Sequence, residues 1–138
     1  MGKTDALGKG FDLLYQAWRR LQIAFPELNL VALGAVPHRP YPGVRFPGTI
    51  RDRRELGDYY ASALATVLPS VTTAESFGMV LAEALVAGCP VVGSRVGGIP
   101  ALIDPDENGY LAPPGDVAAL TETLAQVIRH QDRLRERI

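Results

Sequence analysis

Apolar residues in this chain occur in two kinds of run. Residues 10–25, GFDLLYQAWRRLQIAF, place Phe11, Leu14, Ala17, Trp18, Leu21 and Phe25 at helical spacing. Gln16, Arg19, Arg20 and Gln22 take the opposite face, and Pro26 ends the helix. Short runs without that period alternate with such stripes: LNLVALG at 28–34, VRFPGTI at 44–50, LATVLPS at 64–70 and PVVGS at 90–94 read as strands. The second is weakened by Pro47-Gly48. VPHRPYPG is a proline-rich loop. RDRRELGDYYASA predicts a helix capped by Asp52, with Leu56, Tyr59, Tyr60 and Ala63 inward. Residues 75–87 predict another, ended by Gly88. VGGIPALI reads as a glycine turn and a short helix, and NGYLAPPG as a brief strand between turns. DVAALTETLAQVIRHQ is a final amphipathic helix with Asp116 placed to cap it.

Strand and helix alternate throughout, and the strands are continuous apolar runs rather than in–out alternations. That predicts an α/β, Rossmann-like domain: a parallel sheet with helices on both faces, spanning residues 1–138 as one unit. In such folds the ligand sits beyond the carboxyl ends of the strands, on the following loops and helix N-termini.

Composition narrows the classes. The formal net charge of −1 and 21% charged residues give no basic field for nucleic acid. The basic tail RHQDRLRERI is interleaved with acids and reads as a solvated helix end. The one cysteine, Cys89, precedes a proline at a buried strand and reads as a small apolar filler. No apolar run reaches the length of a membrane span and no signal peptide opens the chain. The expected location is the cytoplasm, with peripheral attachment to a membrane left open.

Several motifs fail on inspection. GKT at 2–4 has neither the upstream glycine nor the strand of a phosphate loop, and GSRVGG at 93–98 lacks the dinucleotide spacing. His38 and His130 stand in no ligand pattern, and Ser70, Ser76 and Ser94 have no nucleophile elbow. PDE at 105–107 reads as a turn and not as a metal site.

The stretch ESFGMVLAEALVAG, 75–88, is different. Its apolar run from Met79 to Ala87 carries Glu83 and is preceded by Glu75. A carboxylate among apolar side chains costs several kcal/mol without a partner. Glu75, Met79 and Glu83 lie along one row of a helix, leaving Val80, Leu81, Ala84 and Leu85 for the sheet. Gly78 would open backbone in the first turn, where free N–H groups favour an anion. Two readings stand side by side. The carboxylates accept paired hydroxyls of a ribose or hexose, or Glu75 favours the dipole while Glu83 pairs with an arginine.

This stretch resembles the donor-site signature of the retaining, family 4 (group 1) glycosyltransferases with the GT-B fold, whose motif is Glu, seven residues, Glu. Glu75 to Glu83 has that spacing. PS at 69–70, ESFGMV at 75–80, AEALVAGCPVVGS at 82–94 and GGIP at 97–100 match around it. ENGYLAPPGDVAAL and GKGFDLLYQA match further family segments. The resemblance covers nearly the whole chain as the C-terminal, nucleotide-sugar-binding half. It implies that Glu75, the catalytic candidate, contacts the donor sugar near the reacting centre and that Glu83 binds the nucleotide ribose. It implies that Phe77, Gly78, Met79 and Val80 offer N–H groups to sugar and diphosphate, and that Lys9 neutralises the departing diphosphate. Residues 48–51, with Ile50 and Arg51, would lie against the base. Lys3 stands where the family has an arginine, and a lysine cannot make a bidentate fork. Ala101 replaces a usual acidic residue. The family's first strand and its N-terminal acceptor half are not in this sequence.

The implied reaction is transfer of a sugar from a nucleoside diphosphate to a hydroxyl acceptor, with retention, no cofactor and no metal. The implied partners are the donor, an unnamed acceptor and a separate N-terminal half. The alternatives are a non-catalytic remnant that binds a nucleotide sugar or a partner protein, and a nucleotide-sugar epimerase of related fold.

Overall fold

A computed structural model of the chain describes residues 9–34, 39–71 and 79–138, with the backbone alone for Lys9. Helix α1, Lys9–Ala24, turns its apolar stripe inward as its spacing predicts: Phe11, Leu14, Ala17, Trp18 and Leu21 are buried. The Trp18 indole N–H donates to the Leu28 carbonyl at 2.9 Å and holds the turn into β1, Leu30–Leu33. β1 pairs in parallel with β2, Val44–Gly48, where the edge position tolerates Pro47. Helix α2, Arg53–Ser62, is capped by Asp52, whose carboxylate accepts from the Arg54 N–H at 2.9 Å.

The second half repeats the alternation. β3 (Thr66–Leu68), α3 (Met79–Val86), β4 (Val91–Ser94) and a 3₁₀ turn (Ile99–Ala101) lead to β5 (Gly109–Ala112) and the closing helix α4 (Val117–Arg137). The three strands form a parallel sheet in the order β3-β4-β5. Gly109 is required there, because a Cβ would strike the Val91 carbonyl oxygen.

Every described strand pair is parallel, as the continuous apolar runs predict. The expectation of one sheet is corrected: among the described residues the strands form a two-stranded and a three-stranded sheet. One apolar cluster nevertheless joins them. Side chains of α1 and α4 pack with Leu30, Ala32, Val44 and Phe46 of one sheet and Val67, Val92 and Tyr110 of the other. The second cluster, built from Tyr60, Leu81, Ala84, Val91, Ile99 and Ile103, covers the opposite face of the three-stranded sheet alone. Helices therefore cover both faces of that sheet. Val31 and Leu33, on the far face of β1, belong to neither cluster.

The basic tail is a solvated helix end as expected on its outer side, where Asp132, Arg133, Glu136 and Arg137 are exposed. But α4 continues to Arg137 and buries Leu134 fully on its inner side. The Arg135 guanidinium donates to the carbonyls of Ala61 and Gly88, each at 3.4 Å, and to Ala63. Those carbonyls close the ends of α2 and α3, which lack intrahelical partners. Arg133 pairs with Asp106 at 3.2 Å and Arg137 with Glu107. No described helix is long and apolar enough to cross a membrane.

Candidate functional site

Parallel strands bring all their carboxyl ends to one edge. β3, β4 and β5 end there at Leu68, Ser94 and Ala112. The start of α1 is pressed against that edge, since a Cβ on Gly10 would run into the Pro69 carbonyl just beyond β3. Glycine is thus needed at position 10 for the helix to approach this closely. Helix α1 carries the chain to the opposite edge, so β1 and β2 point the same way as β3. Helix α3 follows the end of β3 and returns to the start of β4, so its N-terminus also opens at the carboxyl edge. Two helix N-termini meet one sheet edge, an arrangement that attracts an anion.

A recess of about 10 Å³ lies at this edge, lined by Leu13, Pro69, Ser94, Ala112, Pro113 and Asp116, with room for about one water. A larger, open recess of about 430 Å³, between Ala24–Leu28, Leu64 and Ile128, lies at the opposite edge. It is mostly apolar and contains none of the residues singled out from the sequence.

The expected site residues are placed unevenly. Lys3, Glu75, Phe77 and Gly78 lie outside the described residues, as do Ser76 and His38. Lys9 heads α1 at the carboxyl edge. Ile50, half-buried, and Arg51, exposed, lie just past the carboxyl end of β2. Met79 and Val80 form the start of α3, and they are 64% and 42% exposed. Val80 therefore does not pack on the sheet as expected, whereas Leu81 and Ala84 do, both fully buried. Leu85 packs partly against the same cluster, as expected, while Met79, Val80 and Val86 face outward.

Glu83 is the principal correction. It is exposed, not enclosed among apolar side chains. Its described partner is the Tyr60 hydroxyl, which donates to Glu83 Oε1 at 3.3 Å from the neighbouring helix α2. The expected alternative, pairing with an arginine, finds no such ion pair among the described residues. Tyr60 is 6% exposed and its ring sits in the second apolar cluster. Burial, and then the charge and hydrogen bond of Glu83, push the Tyr60 hydroxyl up to about 12. It stays a donor at every physiological pH. Cys89 is fully buried with its Sγ 3.4 Å from Thr66 Oγ1, and burial raises its thiol. That agrees with its reading as a filler.

Two features escaped the sequence. Tyr60 was expected only as an inward core residue, and the helical spacing of α2 carries no signal of its partner on α3. Asp12, in the first turn of α1, accepts from Tyr41 at 2.5 Å and Arg39 at 2.7 Å, while Arg39 stacks 4.5 Å above the Tyr41 ring. These contacts fasten the proline-rich loop to the helix that Lys9 begins. An aromatic among prolines in HRPYPG is the one local sign of it. Among the described residues no group of three or more histidine, cysteine or carboxylate side chains could hold a metal ion.

The family model described as "Glycosyl transferases group 1" matches residues 1–130. A D-inositol 3-phosphate glycosyltransferase from Xylanimonas cellulosilytica is 34% identical over 96% of this chain and 34% of its own length. The solved C-terminal domain of a group 1 glycosyl transferase family protein from Francisella tularensis aligns with a TM-score of 0.77. That alignment is 24% identical and covers 94% of this chain and 75% of that one. Anabaena HepE, solved in complex with UDP, aligns with a TM-score of 0.74 at 23% identity, over 95% of this chain and 38% of its own. The chain spans about a third of the length of curated relatives such as the Xylanimonas enzyme.

Proposed function

The chain belongs to the group 1 glycosyltransferases, and from that membership we propose that it is the donor-binding half of a retaining, GT-B transferase. It holds a nucleoside diphosphate sugar at the carboxyl edge of its sheets for transfer of the sugar to a hydroxyl acceptor. The observation that supports this best is the meeting of two helix N-termini, those of α1 and α3, at that edge, with Glu83 one turn along α3. In this reading the diphosphate lies between Lys9 and the N–H groups from Phe77 to Val80. Glu75 touches the sugar, Glu83 takes the ribose hydroxyls, and Ile50 and Arg51 border the base. Lys3 is a subsidiary cationic contact. No metal or cofactor is needed, because backbone N–H groups and a lysine neutralise the leaving diphosphate.

HepE was solved with UDP, which makes UDP the first nucleotide to try. Titration calorimetry with UDP and GDP, on the wild-type chain and Lys9→Ala, tests the reading. Binding that falls about tenfold in the variant supports it; nucleotide binding indifferent to Lys9 contradicts it. Transfer itself needs an acceptor wall, since reacting atoms must be held at near-attack distance. We expect this chain alone to bind donor without transferring sugar, and activity to appear when an N-terminal half is supplied. A cytoplasmic location, with the acceptor either soluble or at a membrane surface, completes the proposal.

A further inference from the structure

We propose that Tyr60 is a positioning residue for the donor: its anchored hydroxyl fixes the Glu83 carboxylate so that the remaining acceptor sites are presented to the nucleotide's vicinal diol. The inference rests on the donor-site reading above.

Glu83 stands on the outward side of α3, where Met79 and Val86 are 64% and 91% exposed. No described ion pair involves it. A free glutamate in that position samples many rotamers, and ordering it on binding costs side-chain entropy. Tyr60 supplies the constraint beforehand. Its ring is locked among the side chains of the second apolar cluster, and only its hydroxyl reaches out, 3.3 Å from Glu83 Oε1.

The choice of donor matters as much as its presence. A carboxylate offers about four lone-pair sites, and a hydroxyl takes one of them. An arginine would take two in a fork and cancel the charge. A tyrosine orients the group while leaving it anionic, with an oxygen free for two adjacent hydroxyls. Phenylalanine would fill the same apolar space without desolvating a hydroxyl, so packing alone gives no reason for tyrosine here. Tyr60 also lies on α2, and the Arg135 contact to the Ala63 carbonyl holds the end of that helix. The donor is therefore set on a fixed element.

The experiment compares UDP with 2′,3′-dideoxy-UDP, titrated into the wild-type chain, Tyr60→Phe, Glu83→Gln and the double variant, with thermal melting of each. We expect the wild type to prefer UDP, and Tyr60→Phe to lose about fivefold of UDP affinity while binding the dideoxy nucleotide as before. In the Glu83→Gln background Tyr60→Phe should then add little, the mark of two groups acting as one. A Tyr60→Phe chain that keeps full UDP preference, while Glu83→Gln loses it, overturns this inference and leaves the donor reading standing. Equal loss of both nucleotides in Tyr60→Phe, with or without earlier melting, marks Tyr60 as merely structural and also overturns it. A wild type that binds neither nucleotide, or both alike, overturns the assignment of Glu83 to the ribose, and this inference with it.

Discussion

The two sheets make an instructive pair. β4, VVGS, is buried at every position, with strands on both sides and helices on both faces. β1, LVAL, is half-exposed at every position and, among the described residues, has a strand on one side and an apolar cluster on one face. As text LVAL is the more apolar run, yet it is the less buried. Their difference comes from neighbours: a strand's burial is decided by what is packed on its four sides, and apolar composition states only what could be buried. The site follows the same division. Its firmest described piece, Glu83 with Tyr60, stands over the well-covered sheet, while Ile50 and Arg51 extend from the thinner one.

The largest effect that would sharpen this contrast is expected at Gly109. A side chain there collides with the β4 backbone, so Gly109→Val should cost more than about 3 kcal/mol and abolish cooperative unfolding in urea. Leu134→Ala comes next. It empties a fully buried site under the arginine-rich tail and should cost about 2–5 kcal/mol by the same assay. Retention of full stability would mean that the inner side of the tail is as solvated as its outer side. On the other sheet, Val31→Ala touches neither cluster and should cost no more than about 1 kcal/mol. A loss as large as that of Leu134→Ala would mean that the outer face of β1 is covered after all.

A smaller effect is read through pH. The Tyr60 hydroxyl titrates higher folded, at about 12, than the value of 10.0 it has when free. A raised value means that the stability it provides is complete below about pH 10 and lost as pH rises through about 12. Discounted for partial exposure of the hydroxyl–carboxylate contact, that loss is at most about 2 kcal/mol. Melting the wild type and Tyr60→Phe between these limits should show the wild type falling further. Parallel curves would mean that Tyr60 ionises freely. The smallest effect is on the stability of Glu83→Ala, expected within about 0.5 kcal/mol because the residue is exposed, even though nucleotide binding should weaken by about 1–3 kcal/mol.

Much of the fold was legible because it rests on local rules. The stripe of α1, the Asp52 and Asp116 caps and the glycine stop of α3 at Gly88 need only short-range chemistry. What failed depends on distant partners. Met79 to Ala87 is apolar all round, so its sequence could not say that Leu81 and Ala84 alone would be fully enclosed and Glu83 left outside. Leu134 sits among charges and reads as surface until Arg135 is seen reaching Ala61, Ala63 and Gly88. Tyr60 and Glu83 are 23 positions apart on different helices, and no spacing rule links them. The division into two sheets likewise depends on which strands meet, and a list of apolar runs does not contain that.

The central claim is that a nucleotide binds at the carboxyl edge of the sheets. It is tested most directly by nuclear magnetic resonance, following backbone amide shifts as UDP is added to the isotopically labelled chain. The account predicts saturable shifts at Gly10, Ile50, Arg51, Met79, Val80 and Glu83, with little change from Ala24 to Leu28. Shifts concentrated instead at Ala24 to Leu28, Leu64 and Ile128, around the apolar recess at the opposite edge, would contradict it.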